Sequence, residues 1–111
     1  MSENRYVFIE SRDPFESSDT GFVADTARAL AQRGRPVTVF LVQNGVLATR
    51  TRARGTRLGG LTASGVEVLA DDFSLRERGI EAGELAPGVR ETSIDALVDL
   101  LTRPGTKAVW H

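Results

Sequence analysis

The stretch Val66-Glu67-Val68-Leu69-Ala70-Asp71-Asp72-Phe73-Ser74-Leu75-Arg76-Glu77-Arg78-Gly79-Ile80 joins an apolar, β-prone run to a short helical pattern through two carboxylates. Residues 66–69 suit a buried strand, Asp71 and Asp72 fall where that strand should end, and 73–78 make a helical turn closed by Gly79. A strand handing over to a helix within so few residues points to an α/β layer fold, whose ligand side is the rim at the strands' carboxyl ends. Carboxylates at a helix start also have a plain structural use. They accept hydrogen bonds from the free N–H groups of the first turn and meet the positive end of its dipole.

Upstream, residues 6–9 (Tyr-Val-Phe-Ile) and 37–42 (Val-Thr-Val-Phe-Leu-Val) are continuous apolar runs of the kind covered on both faces of a sheet. Between them, residues 19–33 place Val23, Ala27, Leu30 and Ala31 on one helical face, with Asp25, Arg28 and Gln32 opposite. Gly34 can take the left-handed conformation that ends this helix, and Pro36 prevents its continuation. Gln43-Asn44-Gly45 reads as a turn, residues 46–54 as the start of a short helix, and 57–63 as a second helical piece weakened by Gly59-Gly60. Downstream, Val89-Arg90 is a short fourth strand. Thr92 and Asp95 have capping-box spacing before an amphipathic helix carrying Ile94, Leu97, Val98 and Leu101, and Ala108-Val109-Trp110 is a final edge strand. The expected architecture is an α/β three-layer sandwich, with a mostly parallel sheet of about five strands, folded as one domain over residues 1–111.

Composition narrows the function. The 111 residues contain no cysteine, which removes disulfides and thiolate catalysis, and a single histidine makes a zinc site improbable in chemical terms. A formal charge of −1 gives no reason to expect nucleic acid or membrane as partner. No apolar run approaches a membrane span, and the opening Met-Ser-Glu-Asn-Arg lacks the order of a signal peptide, so a cytoplasmic address is expected. Charge is nevertheless segregated: residues 26–66 hold seven basic and no acidic groups, while the segments on either side are acidic. Arg50, Arg52, Arg54 and Arg57 are the densest part of it, suited to an anion or to the acids of a partner subunit.

The opening stretch resembles a loop of the DsrE/DsrF/DsrH (Tus-like) superfamily of sulfur-relay proteins. In its sulfur-carrying members a cysteine lies eight residues before the Gly of a closing R-G-I-like motif, often with a second cysteine three residues on. Those positions are Asp71 and Ser74 here, before Arg78-Gly79-Ile80. The run Val39-Phe40-Leu41-Val42-Gln43-Asn44-Gly45-Val46 is similar to the family's strand followed by a D/N-G-V turn, and residues 97–110 resemble the end of the cysteine-less DsrH/TusB branch, whereas the first helix is closer to the DsrE branch. The resemblance implies a DsrE-like fold and assembly into homo-oligomers or with a paralogous subunit. It cannot bring persulfide transfer with it, since that step needs a sulfur that both attacks and leaves.

The expectation is therefore a non-catalytic oligomer or sulfur-relay accessory subunit, with no cofactor. The alternative is a small-molecule or anion-binding protein, with or without an enzymatic step, whose rim pocket is built from Glu10, Asn44, Asp71, Asp72, Ser74 and Arg78. A Mg²⁺ or receiver-like site from Glu10, Asp13, Asp71 and Asp72 fits less well, because the first strand does not end in an adjacent acidic pair. His111 is expected to be exposed, and Trp110 to belong to the core or to an interface.

Overall fold

The computed structural model describes residues 4–53 and 55–111, which leaves Arg54 outside the described residues. Five strands form one parallel sheet: β1 (Arg5–Glu10), β2 (Val37–Leu41), β3 (Glu67–Asp71), β4 (Val89–Thr92) and β5 (Thr106–Trp110), in the order β4-β3-β2-β1-β5. The parallel sheet expected from the uninterrupted apolar runs is thus present. Its helices are α1 (Thr20–Gln32), the single-turn α2 (Asp72–Glu77) and α3 (Ile94–Thr102).

Alternation along each strand splits the core in two. Phe8, Val39, Leu41, Val68 and Ala70 face Val23, Ala24 and Ala27 of α1, together with Val46, Leu58, Leu61 and Leu75. Val7, Ile9, Phe40, Val42 and Leu69 face the other way, onto Leu97 and Leu100 of α3. The two faces are covered unequally. One has α1 and the 43–64 segment, whereas the other has a single nine-residue helix.

Helix α1 stops as its sequence dictates: Gly34 takes φ 78° and its N–H donates to Ala31 O. The pieces expected between β2 and β3 differ in kind, being 3₁₀ turns at Gln43–Thr49, Thr51–Ala53 and Leu61–Ser64. Two glycines of this segment make close backbone approaches. A Cβ on Gly45 would sit 2.2 Å from Glu10 O, and one on Gly59 would sit 2.0 Å from Ala53 O, so the segment is pressed against backbone. The capping box expected from Thr92 is also absent, because Thr92 ends β4 and Ser93 occupies the N-cap without a side-chain bond.

Candidate functional site

All five strands run the same way, so their carboxyl ends share one rim, where Glu10, Gln43, Asp71 and His111 follow or end β1, β2, β3 and β5. Asp71 closes β3 and caps α2: its Oδ2 accepts from the Ser74 N–H at 3.0 Å and from the Ser74 hydroxyl at 2.7 Å. The Ser74 Oγ in turn accepts the Gln43 N–H at 2.8 Å. That bond ties the β3–α2 junction to the residue after β2, and it holds Gln43 in the left-handed region at φ 51°, which is unusual outside glycine. The Arg78 guanidinium closes the outside, donating from Nε to Asn44 Oδ1 at 3.1 Å and from Nη1 to Ser74 O at 3.2 Å.

Between this junction and α3 lies a cleft of about 410 Å³. Asp71, Ser74 and Arg78 line it with Phe73, Ile94 and Trp110. Of the six residues expected at a rim pocket, three are in its lining and Asn44 joins them through Arg78. The other two lie elsewhere. Asp72 reaches Arg76 at 3.8 Å on the surface, and Glu10 is wholly buried at the end of β1. Phe73, Ile94 and Trp110 were not expected there. The signal for Trp110 was the strand pairing, because it stands beside Ile9 on the α3 side of the sheet.

Glu10 has its own partner, and it overturns the expectation of an exposed His111. The His111 Nδ1 lies 2.8 Å from both Glu10 carboxylate oxygens, and the Arg12 N–H donates to Oε2 at 3.1 Å. An ionised carboxylate only accepts, so Nδ1 carries the proton in this pair. The backbone holds the imidazole there. His111 N–H donates to Ile9 O at 2.8 Å, and Ser11 donates to His111 O from its N–H at 3.2 Å and its hydroxyl at 2.9 Å. Continuing the β5 pairing by one residue therefore delivers a cation-capable ring to a carboxylate that burial would otherwise strand.

Among the described residues, Arg50 and Arg52 line one hollow with Glu84, and Arg57 lies apart from them. Arg57 pairs with Asp25 of α1 at 2.8 Å, the Arg50 Nε donates to Leu47 O at 3.2 Å, and Arg52 is exposed beside Glu84. Among the described residues no three His, Asp or Glu side chains are grouped to hold a metal ion. No described helix is long and apolar enough to cross a membrane.

The two neighbouring carboxylates should separate under mutation. Asp71→Ala should lower stability by about 1–2 kcal/mol through loss of the cap. Asp72→Ala, which loses only a long surface pair, should stay within about 0.5 kcal/mol of the parent. Urea unfolding reads both, and equal losses would rule out Asp71 as the cap.

Solved structures share this architecture. The ychN protein from E. coli matches with a TM-score of 0.83 at 19% sequence identity, over 97% of this chain and 99% of its own. A protein of unknown function from Methanobacterium thermoautotrophicum, MTH1491, matches with a TM-score of 0.74 at 24% identity, over 98% of this chain and 100% of its own. No protein-family model and no curated protein matches the sequence. The chain has the DsrE-like fold that its loop motifs implied, in a form without cysteine.

Proposed function

We propose that this chain works as a non-catalytic subunit that assembles with further copies of itself, through the outer stripe of α3 and the β5 edge. The observation that carries this reading is the apolar surface there. Ile94, Val98 and Leu101 recur at i, i+4 and i+7 along α3, flanking the buried Leu97 and Leu100, and all three are exposed. Trp110 extends the surface along the same face of the sheet and is 67% exposed. Large apolar groups contiguous on one helix and an adjoining strand edge mark a contact surface, whereas scattered ones do not. Burying each would contribute roughly 1.5–3 kcal/mol.

Charge favours a second copy as the occupant. Asp95 and Asp99 are exposed beside the stripe, while Arg33 and Arg35 of the basic middle segment are exposed with no acidic partner among the described residues. One copy thus presents an acid-flanked apolar face and, elsewhere, free guanidinium groups that match it. Contacts between two different patches of like chains close into rings when the rotation permits. The β4 edge is a poorer candidate, being four residues long and bearing exposed Arg90 and Glu91.

The sulfur-relay side of this reading follows from what Asp71 replaces. A carboxylate held by Ser74 cannot carry a sulfane sulfur, so a role in such a relay would be that of scaffold for a cysteine-bearing chain of the same fold. Sedimentation of the purified protein tests the assembly. The parent should sediment as an oligomer, and Val98→Asp, which sets a charge in the middle of the stripe, should yield folded monomer. A parent that is monomeric alone but assembles when a cysteine-containing DsrE-type chain is added would move the reading from self-assembly to the paralogous subunit. A parent that stays monomeric in both settings would end it.

A further inference from the structure

The cleft between α2 and α3 has a chemical character that assembly does not call for. Asp71 is only 7% exposed, yet its two oxygens are used unequally. Oδ2 takes both bonds from Ser74, and no described residue donates to Oδ1. Every described side-chain nitrogen or oxygen fully shielded from solvent has a partner, so Oδ1 keeps access to solvent, and Asp71 lines the cleft. A mostly buried carboxylate with one oxygen free is a strong acceptor facing a small volume.

The walls around it are apolar and aromatic. Val42 and Leu97 form buried sides, and Phe73, Ile94 and Trp110 stand exposed at the mouth. Glu77 adds a second negative charge to the lining. The positive charge there, Arg78, is turned onto Asn44 and the Ser74 carbonyl, which leaves Asp71 without a cationic neighbour bonded to it. A volume of about 410 Å³ is in the range of small-ligand sites.

From this combination we infer that the cleft is a binding site for a small organic cation, an amine or amidine carried on an aromatic or aliphatic body. The cationic head donates to Asp71 Oδ1, and the body lies against Phe73 and Trp110, whose ring faces favour a nearby positive charge. An anion is disfavoured by the two carboxylates, and a neutral molecule leaves Oδ1 without a charged donor. The same chemistry is offered by a Lys or Arg side chain from a second copy, so the test must separate a free ligand from a docked neighbour.

Trp110 is the only tryptophan of the chain, and its fluorescence reports the mouth of the cleft directly. The probes are benzylamine, benzyl alcohol and benzoate, which share a ring and differ in charge. They are titrated into the parent and into Val98→Asp, which disables the proposed self-contact while leaving every residue of the cleft in place. Benzylamine should saturate at a concentration roughly tenfold or more below the other two, the ratio expected of one charge-assisted hydrogen bond. In Asp71→Asn, verified as folded by its thermal melt, the preference for the amine should vanish. Should that variant not fold, Glu77→Gln replaces it and should reduce the amine preference, as should added salt.

Saturation in Val98→Asp but not in the parent would mean that a neighbouring copy occupies the cleft, and the inference would hold with the head group supplied in trans. Saturation in both would assign a free ligand. Equal affinities for the three probes, a preference that survives Asp71→Asn, or no saturation in either protein would each overturn it. The three overturning results do not depend on the parent being an oligomer.

Discussion

Gly45→Ala should destabilise this protein by about 3 kcal/mol, near the top of the range for forcing one extra carbon into a packed interior. The added Cβ would lie 2.2 Å from Glu10 O and 3.0 Å from Glu10 C. Neither atom can yield easily, because they are backbone at the end of β1, and Glu10 O accepts the Val42 N–H at 3.0 Å. Displacing that carbonyl would loosen the link between β1 and the segment after β2. It would also shift the carboxylate that His111 holds. Gly55→Ala is the natural control, since its Cβ would meet nothing within 4 Å and should change stability by no more than about 0.5 kcal/mol. Urea midpoints compare the two. Matching midpoints would mean that the close approach at Gly45 does not constrain the fold.

The second large effect is expected at His111. Replacing it with alanine leaves the Glu10 carboxylate, which is 0% exposed, with the Arg12 backbone N–H as its one remaining donor among the described residues. Taking away a side-chain partner from a wholly buried carboxylate strands that group, at a cost of about 3 kcal/mol. Glu10→Gln should be milder, because the amide oxygen still accepts from Nδ1–H and from Arg12. Chemical unfolding of His111→Ala, Glu10→Gln and the double variant gives the coupling between the two groups. Additive losses in the double variant would show that the pair is not a unit.

How much of this was legible in the sequence differs from element to element for physical reasons. The strands announced themselves as β-rich apolar runs, and α1 announced itself by periodicity plus Gly34, because those signals are local. The segment from 43 to 64 did not. Its glycines let one stretch of backbone lie on another, and sequence marks such glycines only as weak helix formers. At the rim, the Asp71 cap was readable from the type of residue and its place at a helix start. The use of Ser74 by Gln43, 31 positions away, was not. His111 was misjudged for a similar reason. A lone histidine beyond an edge strand looks exposed until the parallel pairing of β1 with β5 sets it against Glu10, 101 positions earlier. The missed clue was Glu10 itself, an acid ending an apolar run in a strand covered on both faces.

That same pairing has a consequence for the order in which the molecule can form. Strands β1 to β4 lie side by side in chain order, each beside its predecessor. Strand β5 instead returns past all of them to the open side of β1. During synthesis a four-stranded sheet can gather while that side waits, with Val7 and Ile9 half-roofed and Glu10 lacking its imidazole. Contacts spanning about a hundred positions are the slowest to close. The nascent chain therefore passes through a stage with one unpaired strand edge and an unmatched carboxylate beside it. Held at that rim, the charge disfavours capture of the open edge by a stray strand until residues 106–111 emerge and take the place themselves.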